Sequence, residues 1–162
     1  MASGLERPEL RALYERYAPL IHRRAFRLVG REAEAWDVVQ EVFRMLLEKA
    51  DSFRGEAQPM TFIYRITTNV ALNALRHRTL REGPGPVTDD PGFEPGDVEA
   101  RNLLAALGRS LDEQSLQIAA LHFVDGLTQD DIGEVVGLSR KTVGKKLDSV
   151  RQQARALSGG AA

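Results

Sequence analysis

Thr128-Gln-Asp-Asp-Ile-Gly-Glu-Val-Val-Gly-Leu-Ser-Arg-Lys-Thr-Val143 carries two helix starts and one helix stop in a short span. Thr128 is placed to cap a helix whose first turn holds Asp130 and Asp131, where the helix dipole favours negative charge. Ile132, Val135 and Val136 then face inward, and Gly137 supplies the stop. Ser139 is placed to cap the next helix, in which Val143, Leu147 and Val150 recur at i, i+4 and i+7 as a buried stripe. The other side of that helix presents Arg140, Lys141, Lys145 and Lys146, then Arg151 and Arg155. Two capped helices joined by a tight glycine turn, the second with a basic outer face, follow the helix-turn-helix plan, in which the start of the second helix enters the major groove. An ordinary helical hairpin with a solvated basic face is the bland alternative, but the order of capped helix, glycine turn and capped helix is harder to obtain by chance. Gly144, inside the basic helix, costs about 1 kcal/mol relative to alanine; it either permits close approach to a DNA backbone or simply weakens the helix.

Upstream of this stretch, Ser110-Leu-Asp-Glu113 has the spacing of a capping box, with Leu116, Ala119, Ala120 and Phe123 as the apolar stripe that follows and Gly126 as the stop. Further upstream, Gly83 to Gly96 holds four of the seven prolines and four glycines, a composition that neither continues a helix nor packs a core. No strand-length stretch alternates between apolar and polar residues, so the chain reads as all-α: two small helical domains joined by a flexible linker. The expected boundaries are 1–82, an acidic Pro/Gly-rich linker at 83–97, 98–158, and a fraying tail at 159–162.

In the first domain Pro8 suits the first turn of one helix and Pro19 the opening of a second that ends at Gly30. A third helix, Glu32 to Lys49, is expected to turn Trp36, Val39, Phe43 and Leu46 inward, with Val42 and Leu47 beside them. Its other side shows Asp37, Gln40, Glu41, Arg44 and Glu48, an acidic-amide face that suits either water or a basic helical partner. After a loop from Asp51 to Pro59, a helix from Thr61 to Arg78 lines the core with Phe62, Ile63, Ile66, Val70 and Ala74. Along it Arg65, Asn69, Asn73 and Arg76 form a stripe of amides and guanidiniums without a carboxylate, suited to nucleic acid and to unpaired strand in particular. The aromatic rings of Phe62 and Tyr64 at its edge are more often core than stacking platforms.

Composition bounds the rest. The chain of 162 residues is 43% hydrophobic and 28% charged, which excludes disorder throughout. Zero cysteines exclude a disulfide framework, a thiol nucleophile or a thiolate metal site. No signal-peptide core follows the first charges, and no run of about 18 apolar residues occurs, so a cytoplasmic protein without membrane contact of its own is expected. The formal charge of -1 conceals +3 over 1–82, -5 over 83–100 and +1 over 101–162. Arg65 to Arg81 contains no acid, and Ser139 to Arg155 sets six basic residues against Asp148 alone; a polyanion would dock on these stretches.

Taken together, Asp37-Val-Val-Gln-Glu-Val-Phe43, Asp51-Ser-Phe-Arg-Gly55 and Thr61-Phe-Ile-Tyr-Arg-Ile66 with Asn69-Val-Ala71 resemble region 2 of a bacterial sigma factor of the sigma-70 family. Gly126-Leu-Thr-Gln-Asp-Asp-Ile132 through Gly137-Leu-Ser-Arg-Lys-Thr-Val143 resembles its region 4. The nearest class is the extracytoplasmic-function group, which has only these two domains and a linker. The resemblance implies that Asp37, Gln40, Glu41 and Arg44 meet core RNA polymerase. It further implies that Phe53, Arg54, Gly55 and Met60, in the loop from Phe53 to Met60, capture a flipped base of the minus-10 element, with Phe62, Arg65, Asn69, Asn73 and Arg76 as the strand-opening surface. Ser139, Arg140, Lys141, Thr142, Lys145, Lys146 and Arg151 fall on the helix that reads the minus-35 element. The implied partners are core polymerase, promoter DNA as duplex and as melted strand, and an anti-sigma factor. No cofactor and no metal are implied, and the chemistry belongs to the polymerase.

Two other functional classes fit parts of the pattern. A regulator acting through the helix-turn-helix without polymerase would bind duplex DNA on its own. A sigma-like interaction protein would occupy polymerase or an anti-sigma factor without initiating, a reading suggested by Gly144 and Asp148 in the basic helix. An enzyme is disfavoured: His22, His77 and His122 show no metal spacing, and no phosphate loop, His-Glu helix motif or nucleophile elbow occurs.

Overall fold

The computed structural model describes residues 6–55, 58–83 and 95–159. Every described element is a helix: α1 Arg7–Val29, α2 Glu32–Glu48, α3 Ala50–Arg54, α4 Pro59–Glu82, α5 Pro95–Leu107, α6 Glu113–Phe123, α7 Gln129–Val136 and α8 Arg140–Gly159. Most of the expected linker, 84–94, lies outside the described residues, as do Glu56, Ala57 and the last three residues of the tail. Residues 95–97 of the linker open α5 instead, since a first helical turn tolerates proline. Gly159 of the expected tail still belongs to α8.

The first three long helices pack around one core. One continuous α1 replaces the two helices that Pro19 was expected to separate. An interior proline costs about 3 kcal/mol. Against that stands an unbroken stripe of Tyr17, Ala18, Ile21, Ala25, Leu28 and Val29, all buried against α2 and α4. Tertiary packing overrides the local breaker, with Pro19 itself on the exposed side.

On α2 the buried face is Ala35, Val38, Val39, Val42, Phe43 and Leu46. Trp36 and Leu47 are 41% and 40% exposed, so neither belongs to the inner stripe assigned to them. A helix turns about 100° per residue, and with Ala35 and Val39 facing the core Trp36 is rotated to its flank. There it lies against the His22 ring, with centroids 4.3 Å apart, and its Nε1 donates to Glu32 at 3.1 Å. The expected loop from Asp51 begins as a single helical turn, α3, which buries Phe53 between Tyr17 and Phe62.

The second half of the chain follows its caps. Asp131 N–H donates to Thr128 Oγ1 at 3.1 Å and Thr142 N–H to Ser139 Oγ at 3.2 Å. Gly137 closes α7 in the left-handed conformation at φ 74°. The cap of α6 is Asp112, not Ser110: its carboxylate accepts from Ser115 N–H at 2.7 Å. That bond holds the Asp112 carboxyl below its ordinary range. Ser110 instead donates to Gln153 Oε1 of α8 at 2.7 Å.

One hydrophobic cluster runs through both halves. Leu104, Leu107, Leu111, Leu116, Ala119, Ala120 and Val150 are buried in the same cluster as Ile21, Val39 and Leu72. A smaller cluster of Ile118, Leu121, Ile132, Val143 and Leu147 forms the centre of the helix-turn-helix, and Tyr64 of α4 packs against it.

Candidate nucleic-acid interface

Two adjacent faces of the first half converge on one cleft. From α2 come Glu41 and Met45, with Lys49 just past its end, and from α4 Phe62, Arg65, Ile66, Asn69, Val70 and Asn73. The volume is about 480 Å³, and Glu113 from the start of α6 completes the wall. Spacings of four and three residues put Arg65, Asn69, Asn73 and Arg76 on one side of α4, as the period of the helix requires. Three of the four line the cleft. The fourth, Arg76, reaches the second half of the chain, where its Nη2 donates to the Leu111 carbonyl at 3.1 Å.

The aromatic residues of this region are structural supports. Phe53 and Phe62 are each 8% exposed, 6.0 Å apart between ring centroids, and Arg65 lies over the Phe62 ring at 5.5 Å. Met60 is 45% exposed and Gly55 is also at the surface, so these two positions are open to a ligand while Phe53 and Phe62 beside them are packed. The side chain of Arg54 lies outside the described residues.

On α2 the residues assigned to a protein partner share one exposed side with defined pairing. Arg44 donates from Nε to Glu41 at 2.9 Å and from Nη1 to Glu48 at 2.5 Å. Its proximity holds the Glu41 carboxyl below the ordinary range. The trio therefore presents one net negative charge, with Asp37 and Gln40 exposed beside it.

The basic helix α8 is open to solvent at its start. Ser139, Arg140, Lys141 and Lys145 are exposed, and Lys146 and Thr142 are half-buried. Arg151 is tied back by Asp148 at 3.3 Å and by the His122 ring at 3.4 Å, so it braces α8 against α6. Gly144 faces α7, not the open side: a Cβ there would stand 3.0 Å from Gln129 Oε1. Its smallness serves the crossing of α7 and α8, a third role beside the two the sequence left open.

Residues 13–81 match the model of sigma-70 region 2. The chain is 31% identical over 161 residues to the extracytoplasmic-function RNA polymerase sigma factor SigE of Mycolicibacterium smegmatis, covering 91% of this chain and 61% of that protein. It is 28% identical over 155 residues to the sigma factor SigL of Mycobacterium tuberculosis, covering 90% of this chain and 86% of the relative. The first half of the chain thus carries the pattern of sigma-70 region 2, and about nine tenths of the chain is similar to extracytoplasmic-function sigma factors. Among solved structures it is similar to the sigma factor RpoE of Bartonella quintana in its complex with the anti-sigma factor NepR, with TM-score 0.49, 16% identity and coverage of 92% and 96%. The chain thus spans about three fifths of SigE and most of SigL.

Several buried arginines carry no local signal of their partners in the sequence. Arg24 of α1 pairs with Asp125 in the α6–α7 turn, both side chains less than a tenth exposed. Arg78 donates to the Val29 carbonyl at 2.8 Å, and Arg101 of α5 donates to the carbonyls of Arg27 at 2.6 Å and Leu28 at 3.1 Å. Two guanidiniums therefore satisfy the C-terminal carbonyls of α1, where the helix dipole favours cations. Burial lowers the Arg78 guanidinium from its ordinary value. One signal was present: Arg24 and Arg101 occupy positions that apolar periodicity reserves for the core.

Proposed function

We propose that this chain binds core RNA polymerase, directs it to a promoter and stabilises the opened strand. The observation that carries the reading is the shared cleft, where Glu41 of α2 adjoins the Arg65, Asn69 and Asn73 stripe of α4 in a chain that matches sigma-70 region 2 over residues 13–81. Asp37, Gln40, Glu41 and Arg44 form the polymerase contact. The exposed start of α8 takes duplex DNA at the minus-35 element, with Arg140, Lys141 and Lys145 reaching base edges or phosphates. The stripe on α4 takes the minus-10 strand: amides hydrogen-bond base edges and guanidiniums meet phosphates. Met60 and Gly55 supply the rim over which an unstacked base turns, and the buried Phe53 and Phe62 hold that rim in place.

The factor contributes binding energy, and the polymerase carries out RNA synthesis. Its place of action is the cytoplasm, with core polymerase; among the described residues no helix is long and apolar enough to cross a membrane. The solved relative from Bartonella quintana is bound to an anti-sigma factor, and a partner of that class is proposed here as well.

The test is co-elution of the purified protein with core polymerase on size exclusion, beside the double variant Gln40→Lys with Glu41→Lys. Co-elution abolished by the reversal is the expected result. A folded protein that fails to co-elute, yet shifts duplex DNA alone, would replace this reading with that of an autonomous regulator.

A further inference from the structure

A second pocket opens on the side of α4 opposite the cleft, between α4 and α1. The two helices run side by side in the same direction: Arg24 donates to Thr68 Oγ1 at 3.3 and 3.2 Å, and beyond it Arg78 donates to the Val29 carbonyl at 2.8 Å. Positions 20, 24 and 27 of α1 and 60, 63, 64 and 67 of α4 follow the helical period and border the same space. Its volume is about 300 Å³, at the lower end of the range for small-molecule sites, roughly 300–1,000 Å³. It shares no lining residue with the cleft, since 62, 65, 66, 69 and 73 lie on the other side of α4. Met60 alone also belongs to the surface assigned to the minus-10 strand.

The pocket is polarised along its length. At one end stand Leu20, Met60 and Ile63, with Leu20 and Met60 40% and 45% exposed. Toward the other end stand Arg23, Arg24, Arg27, Thr67 and Asp125, so three guanidiniums face one carboxylate. Asp125 is already engaged: Arg24 Nη1 donates to it, and Arg27 Nη1 stands 3.6 Å away. Arg23 is exposed, and no ion pair holds it among the described residues. Burial raises the Tyr64 hydroxyl above the ordinary phenol range, so no second anion forms beside them. Thr67 adds an independent sign. Thr68 and Thr79 return their hydroxyls to the carbonyls four residues back, at 2.7 and 2.9 Å. Thr67 is only 1% exposed, and its Oγ1 has no hydrogen-bond partner, which leaves the desolvation of that hydroxyl unrecovered.

We propose that this pocket binds a small amphipathic carboxylate, its aliphatic tail among Leu20, Ile21, Met60 and Ile63 and its head between Arg23 and Arg27, where Thr67 donates to it. The lining selects this class against its neighbours. An inorganic anion leaves the exposed Leu20 and Met60 in water, and a neutral oil leaves the excess of positive charge without a counterpart. A carboxylate suits a guanidinium because its two oxygens match two parallel N–H donors. Covering Leu20 and Met60 withdraws apolar surface from water, the contribution that a head group alone does not supply.

The experiment uses the full chain and sodium octanoate, beside 1-octanol and octylammonium, which keep the tail and change the head. Methyl NMR of the Leu, Ile and Met side chains reads both site and affinity. Octanoate is expected to shift Leu20, Ile21, Met60 and Ile63 saturably and to leave Val143 and Leu147, in the helix-turn-helix cluster, unmoved. The alcohol is expected to bind about tenfold more weakly and the ammonium not to bind. Arg23→Gln, at an exposed position, is expected to weaken octanoate about tenfold and to leave octanol unchanged. Thr67→Val, close in shape, is expected to weaken octanoate about threefold. No saturable shift at millimolar octanoate, or equal binding of the three head groups, would overturn the proposal. So would octanoate binding that neither variant weakens. Pocket methyls that respond only when core polymerase is added would assign the pocket to a side chain of a protein partner and overturn it as well.

Discussion

The two surfaces assigned to DNA differ in their surroundings. The stripe on α4 lies in a cleft that α6 helps to wall, whereas the basic start of α8 stands in solvent. Their chemistry accounts for the difference. The α4 stripe is interleaved with Phe62, Ile66, Val70 and, from α2, Met45, an apolar floor that gains free energy when covered. On α8 the outer residues are lysines and arginines that water serves well, and the apolar side is already closed by α6 and α7. A surface that handles unpaired bases needs exposed apolar area and so attracts a cover. One that meets duplex phosphates does not.

The largest expected effect breaks the α8 side of this comparison. A Cβ on Gly133 would lie 2.5 Å from the Leu138 carbonyl oxygen, a backbone atom that cannot step aside. That close approach is what permits the turn into α8, where Leu138 N–H also donates to the Gly133 carbonyl at 3.0 Å. Gly133→Ala is expected to destabilise the helix-turn-helix by about 3 kcal/mol and to remove duplex binding. Urea denaturation and gel shift measure the two effects, and an unchanged denaturation midpoint would mean that the turn relaxes freely.

Of intermediate size is the effect that sharpens the α4 side. Asn69→Ala with Asn73→Ala removes two amides from the stripe, and loss of base-edge contacts is expected to weaken promoter opening by about 2 kcal/mol. Permanganate reactivity of the melted strand reads opening, and co-elution with core polymerase should persist. Equal loss of co-elution and opening would mean that α4 and α2 form a single polymerase surface, removing the distinction between the strand-binding and partner faces.

How far the sequence revealed this arrangement depends on the range of the forces involved. The caps of α7 and α8 were legible because a hydroxyl three residues before an amide is local chemistry, and Thr128 and Ser139 both make the expected bonds. The grouping of Arg65, Asn69 and Asn73 was legible for the same reason, as it follows from the helical period alone. What was not legible depends on distant partners. Arg24 and Asp125 are 101 positions apart, and nothing near either predicts the other. Continuity of α1 through Pro19 is set by packing against α2 and α4, and the outward position of Trp36 by which neighbouring residues of α2, Ala35 and Val39, those helices bury. Asp112 and not Ser110 caps α6 because the helix begins at Glu113, and Ser110 finds its partner in Gln153, 43 positions on.

Gly144 gives the smallest effect and the cleanest separation of stability from recognition. Two opposing contributions are involved: alanine gains about 1 kcal/mol of helix propensity over glycine, while its Cβ presses on Gln129 Oε1 at 3.0 Å. The obstructing atom is the end of a long, half-buried side chain, which rotates away at less cost than a backbone carbonyl would exact. Gly144→Ala is therefore expected to be neutral to stabilising by up to about 1 kcal/mol, with duplex affinity unchanged. A thermal melt beside a duplex titration checks both. Unaltered stability with tenfold weaker duplex binding would place Gly144 against the DNA backbone and turn the inner side of α8 toward the groove. A stability change without a binding change fixes the opposite orientation, in which Arg140, Lys141 and Lys145 face the DNA and Gly144 lets α7 and α8 cross.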